Sequence, residues 1–140
     1  MMLKGALIGC GFFAQNQMHG WVGTDGVQII AVCDRDEDRR VQTAQRFGIT
    51  RHYADAAEMF AAETDLDFVD IATTVASHRP LVEAAAEAGL HVICQKPFAE
   101  TLEDAQAMVD AVERAGKILM VHENFRWQSA IRAAAAALQS

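Results

Sequence analysis

Three places in this 140-residue chain carry residue types whose spacing could do chemistry. The first is Gly9-Cys10-Gly11-Phe12-Phe13-Ala14, a G-x-G-x-x-A run directly after the apolar stretch Leu3 to Ile8. A first glycine permits a tight turn, a second lets backbone amides approach a pyrophosphate, and a small third residue keeps the next helix against its strand. The amides and dipole of that helix then face the phosphates. Placed between a strand and a helix, the run predicts dinucleotide binding through Gly9, Gly11, Phe12 and Phe13. The second place is Asp34, which closes the apolar run Gln28 to Cys33 and lies 23 residues beyond Gly11. An acid there accepts hydrogen bonds from the adenosine ribose and repels a 2′-phosphate, so NAD is expected in preference to NADP. Arg35 beside it is the competing feature, since a guanidinium can hold that phosphate. The plainer reading of Asp34 is a cap for the following helix. The third place is Lys96, in Cys94-Gln95-Lys96-Pro97-Phe98, with no other lysine between Lys4 and Lys117. By position alone it is either a ligand contact or a surface charge.

These residues need a scaffold. Five runs, Leu3 to Ile8, Gln28 to Cys33, Asp67 to Ala72, His91 to Cys94 and Ile118 to Val121, are rich in Val and Ile and show little alternation. That pattern fits strands buried on both faces of a parallel sheet. A weaker sixth strand is expected near Arg51 to Tyr53. Helices separate them, with inward faces read as Val41, Ala44 and Phe47; Ala56, Met59 and Phe60; Leu81, Ala85 and Ala88; and Leu102, Ala105, Val109 and Val112. Gly48, Gly89 and Gly116 are expected to end three of these helices as left-handed C′ residues. Thr101, with Asp104 three residues on, and Ser77, before Pro80, are expected N-caps. Alternating strands and helices predict an α/β fold, a Rossmann-type doubly wound parallel sheet. In such sheets ligands sit at the carboxyl ends of the strands, which draws in the loops Ala72 to His78 and Cys94 to Phe98.

Composition narrows the function. Twelve Lys and Arg against nineteen Asp and Glu leave a net charge of −7, and no basic stripe offers itself to nucleic acid. No apolar run approaches the ~20 residues of a membrane span, and no secretory leader is expected before the first strand. Cys10, Cys33 and Cys94 lack pair spacing, and the five histidines lack ligand spacing, so neither a disulfide framework nor a metal site is expected. Cys10 reads as a small residue in the turn. A cytoplasmic location is the default. The helix-prone tail Ala133 to Ser140 has no C-cap, so the chain is expected to continue.

Around Lys96 the sequence resembles the Gfo/Idh/MocA family of nicotinamide-dependent oxidoreductases. Gly89 to Thr101 resembles the family's "GKHVxxEKPxA" signature, Ala72 to His78 its "ATPxxxH" loop, and His122 to Trp127 the "N-x-R" segment where the chain leaves the nucleotide domain. The resemblance implies a Rossmann domain over residues 1–122, with 123–140 starting the crossing into a substrate domain. It implies hydride transfer between a nicotinamide and a carbinol carbon of a sugar, polyol or related compound. Lys96 then acts as the catalytic residue beside the nicotinamide ribose, and an Asp and a His come from the other domain. Thr73, Thr74, Val75, His78, Gln95, Lys96 and Asn124 become cofactor-binding positions, and the complete protein is expected to be a homo-oligomer. Three positions depart from the pattern: Gln95 for glutamate, Thr74 for proline and Val75 for asparagine. Gln95 removes a carboxylate that would hold the lysine, which keeps a non-catalytic dinucleotide sensor, or a nucleotide-binding domain such as an epimerase half, as alternatives.

Overall fold

The computed structural model describes residues 1–139; Ser140, the last residue of the tail, lies outside them. Leu3–Ile8 (β1), Val27–Cys33 (β2), Arg51–Tyr53 (β3), Phe68–Ile71 (β4), His91–Gln95 (β5) and Leu119–His122 (β6) form one parallel sheet, ordered β3-β2-β1-β4-β5-β6. The chain works outward from β1 to β3, then returns to β4 on the other side of β1. Loops after β1 and β4 therefore part in opposite directions and open a crevice at the carboxyl edge. The expected weak strand at Arg51 is formed and pairs with Ala31 to Cys33.

Six helices connect and follow the strands: Phe12–Val22 (α1), Glu37–Phe47 (α2), Ala56–Ala62 (α3), His78–Glu87 (α4), Leu102–Arg114 (α5) and Ser129–Gln139 (α6). Short 3-10 turns at Val75–Ser77 and Asn124–Trp127 precede α4 and α6. On one face Leu7, Ile29, Val32 and Phe68 pack with Ala14 and Met18 of α1 and Ala44 of α2. On the other, Ala6, Ile8, Val69, Ile71 and Val92 pack with Met59 of α3, Val82 and Ala85 of α4, and Met108 and Val112 of α5. Burial on both sides is why the β1, β2 and β4 runs show little alternation. The run Ile118 to Val121 departs from that expectation, since β6 lies at the sheet edge with Ile118, Met120 and Val121 exposed. Each fully buried Leu, Ile or Met side chain contributes roughly 1.5–3 kcal/mol.

The helix ends largely follow the expected punctuation. Asp36, Asp55 and Thr101 cap α2, α3 and α5 by accepting backbone N–H bonds. Gly48, Gly89 and Gly116 end α2, α4 and α5 at φ +68°, +74° and +66°. Ser77 departs from expectation. Its hydroxyl turns back to Thr73 Oγ1 and the Thr74 carbonyl, both at 2.8 Å, and leaves α4 without a side-chain cap. Two inward faces are borne out only in part. Ala88 is exposed, and α4 buries Val82 and Ala86 beside the expected Ala85. Leu102 is 84% exposed in the first turn of α5, where Met108 and Val112 are the buried pair. In both helices one expected residue, Ala85 or Val112, is buried while its neighbours in the expected stripe give way to adjacent positions, and alanine on several sides gave periodicity little to choose between. Among the described residues no helix is long and apolar enough to cross a membrane.

Candidate cofactor and active site

After β1 the backbone turns at Gly9, where φ is +94°. A Cβ there would meet the Ala72 carbonyl oxygen at 2.6 Å, so the turn demands glycine on two counts. The Gly9 N–H donates to the Cys33 carbonyl at 2.8 Å, which ties the turn to β2. Gly11 differs: a Cβ added there would have no atom within 4 Å. That open space lies at the start of α1, which has no side-chain cap and no acid in its first turn. Its leading amides are free to meet an anion. Phe12 is 90% exposed at the mouth and Phe13 is partly covered.

Asp34 lies beside this turn. Its carboxylate accepts from the Cys10 N–H at 2.7 Å and the Asp36 N–H at 2.9 Å, so it braces the glycine turn while its remaining lone pairs stay open. The α2 cap itself is Asp36, not Asp34. Arg35 is exposed. Burial pushes the thiols of Cys10, Cys33 and Cys94 up to about 12, so all three are packing groups rather than nucleophiles.

The other side of the crevice is built from side chains. At the end of β5, Gln95 is 7% exposed and its Oε1 accepts from the Lys96 N–H at 2.8 Å. Its Nε2 is buried without a partner, and so is Asn124 Oδ1 after β6. Lys96 is exposed, and its ammonium meets no acid among the described residues; the Lys96–Pro97 peptide is cis. Thr73, exposed Thr74 and Val75 form the β4 loop. His78 is 1% exposed and lies behind that loop, with Nε2 3.2 Å from the Thr73 carbonyl and Nδ1 3.0 Å from the Phe98 carbonyl. Next to it Arg79 reaches Glu83 at 3.0 Å and Asp104 of α5 at 2.9 Å.

Sequence reasoning missed a buried polar group under this half. Asp70, in the middle of β4, is 1% exposed; Gln17 Nε2 and Trp21 Nε1 of α1 each donate to its carboxylate at 2.8 Å. Among the described residues no cation joins them, and burial raises the Asp70 carboxyl to about 6. Gln17 also lies 3.3 Å from His122 Nδ1 at the end of β6, and burial lowers the His122 pKa. A cavity of about 460 Å³ opens on this group, walled by Phe13, Trp21, Met120 and Trp127. The available signal was one acid inside the apolar run Phe68-Val69-Asp70-Ile71.

The residues present fit a bound dinucleotide. The uncapped α1 start with open space at Gly11 suits a pyrophosphate, the Asp34 carboxylate suits ribose hydroxyls, and two buried amide atoms with no partner, Gln95 Nε2 and Asn124 Oδ1, suit a polar ring carrying both donors and acceptors.

Comparison with known proteins agrees with this geometry. The chain is 63% identical over 136 residues to a D-apiose dehydrogenase of Paraburkholderia graminis, covering 97% of this chain and 36% of that protein. It is 59% identical over 138 residues to a D-apiose dehydrogenase of Rhizobium rhizogenes, covering 99% of this chain and 40% of the relative. An oxidoreductase from Agrobacterium radiobacter, solved with NAD+, L-tartaric acid and magnesium, superposes with a TM-score of 0.96 at 58% identity, over 99% of this chain and 40% of its own. The chain thus spans about two fifths of the length of the relatives it matches. A family model described as "Oxidoreductase family, NAD-binding Rossmann fold" matches residues 3–123, and by that match the chain belongs to the Gfo/Idh/MocA family of oxidoreductases.

Proposed function

We propose that this chain is the NAD-binding domain, residues 1–122 with 123–140 leading out of it, of a dehydrogenase that oxidises a sugar of the D-apiose type in the cytoplasm. The observation that carries the cofactor reading is the uncapped start of α1, open at Gly11 and flanked by the Asp34 carboxylate. The relatives' names support the substrate class. NAD when bound supplies the hydride acceptor.

The chain's own groups divide the remaining work. Gly9, Gly11, Phe12 and Phe13 hold the pyrophosphate end, and Asp34 takes the adenosine ribose with Arg35 alongside. Thr73, Thr74 and Val75 form one wall of the nicotinamide pocket; Gln95 Nε2 and Asn124 Oδ1 offer it a donor and an acceptor. The Lys96 ammonium can donate hydrogen bonds but has no lone pair. It therefore orients the substrate hydroxyl and stabilises the alkoxide-like charge that grows as hydride leaves. Removal of the hydroxyl proton is assigned to a group outside this domain. The complete protein is proposed to be a homo-oligomer.

Calorimetric titration of the chain with NADH and NADPH tests the cofactor half. Tighter NADH binding is expected; tighter NADPH binding would shift recognition to Arg35, and absence of both would overturn the reading. The chain alone is expected to show no turnover. The complete protein should reduce NAD+ with D-apiose, and inactivity with a panel of sugars and polyols would remove the dehydrogenase assignment.

A further inference from the structure

We infer that His78 is a positioning residue that sets the Lys96 loop against the β4 loop, and that it does so without touching the ligand. The inference rests on the cofactor reading above for the function of the two loops, not for the tie itself. The imidazole is buried at the start of α4, and each ring nitrogen faces a backbone carbonyl: Phe98 at 3.0 Å and Thr73 at 3.2 Å. Carbonyl oxygens only accept, so a nitrogen holds its loop only when it carries the proton. The contact with Thr73 stays within the His78 element's own loop, where the Ser77 hydroxyl already reaches Thr73 Oγ1 and the Thr74 carbonyl. The bond to Phe98 crosses to another connection. It grips the chain two residues beyond Lys96, while Gln95 Oε1 holds the Lys96 N–H from the other side.

The next residue extends the brace. Arg79 bonds Asp104, whose own N–H is capped by Thr101, so the first turn of α4 holds the β5–α5 connection at Phe98 and again at the start of α5. Between these grips the Lys96 ammonium has no partner of its own among the described residues. The position of the lysine is therefore set through its backbone. A proton on Nδ1, donated to Phe98, is the form in which His78 does this.

Nitrogen-15 spectroscopy of the wild-type ring reads that form directly. A proton-bearing Nδ1 is expected, and an unprotonated Nδ1 would overturn the tie. The chain's lysines are Lys4, Lys96 and Lys117, so carbon-13 methylation gives few signals, with Lys4 already engaged by Asp65. In the wild type NADH should move the Lys96 signal. His78→Phe keeps a ring in place and removes the Nδ1–H donor; NADH affinity should fall by about tenfold as Gln95 and Thr73 shift with their loops, and the Lys96 response should disappear. His78→Asn offers a donor near the Nδ1 position and should restore both. Pure packing predicts the reverse order, with Phe tolerated and the smaller Asn worse, and that order would overturn the proposal. Should wild type bind no NADH, the cofactor reading fails by itself, while the Nδ1 proton and the ligand-free Lys96 signal still decide the tie.

Discussion

After β1 and β2 the ligand edge is made of backbone: a turn held open by Gly9, free amides at the start of α1, and one carboxylate, Asp34, bonded to the Cys10 N–H. After β4, β5 and β6 it is made of side chains braced against other side chains and carbonyls: Gln95 under Lys96, His78 between two loops, Arg79 on Asp104, and Asp70 buried with Gln17 and Trp21. A diphosphate is the same in every dinucleotide and can be met by a fixed backbone cradle. A reacting centre needs groups placed to fit developing charge, and such placement takes supporting contacts. The first half should therefore fail abruptly when its backbone is altered, and the second by degrees.

The sharpest break is Gly9→Ala. The substitution asks alanine for φ +94° and drives its Cβ into the Ala72 carbonyl. A cost on the order of 3 kcal/mol or more, with loss of NADH binding, is expected by chemical unfolding and calorimetry. Gly11→Ala is the control: its Cβ meets nothing, so stability should hold while NADH affinity drops. Equal behaviour of the two variants would erase the distinction between a turn glycine and a ligand-facing one.

Next comes Asp70→Asn, which probes the support beneath the second half. Burial lifts this carboxyl from 3.8 to about 6. Between those values the folded state keeps a proton that the unfolded chain has released, so stability falls as pH rises from about 4 to about 6. Above that range ionised Asp70 opposes folding by up to about 3 kcal/mol. Asparagine stays neutral, can still accept from Trp21, and after a flip of the Gln17 amide can donate to its unpartnered Oε1. Urea unfolding from pH 4 to 7 should show wild type losing stability relative to the variant as pH rises. Parallel curves would mean that Asp70 titrates as an ordinary carboxylate.

Lys96→Met is expected to lower turnover of the complete protein by on the order of 10²-fold and to change NADH affinity little. A variant that turns over normally would return Lys96 to the status of a surface charge. The smallest effect is expected from Asp34→Ala, which should narrow the preference for NADH over NADPH by about tenfold and loosen the glycine turn. An unchanged preference would separate the brace to Cys10 from cofactor selection.

Periodicity and punctuation made most of the scaffold legible in advance. Strands buried on both faces leave runs such as Leu3 to Ile8, and glycines at 48, 89 and 116 mark where helices stop. Where the chain is alanine-rich, at α4 and α5, only Ala85 and Val112 of the expected stripes are buried, because small residues on several sides blur an amphipathic pattern.

The sequence by itself determined the cradle after β1, since a turn, a close approach and a helix start are local properties written in six consecutive residues. It also marked Asp34 and Lys96 by their places at strand ends. Only the tertiary structure decided that Asp70 meets Trp21 and Gln17 from residues 49 and 53 positions away, or that His78 faces a carbonyl 20 residues on. Those pairings depend on which helix packs over which strand and at what rotation. No spacing within the chain encodes that rotation; it follows from how all the side chains of the two layers fit together.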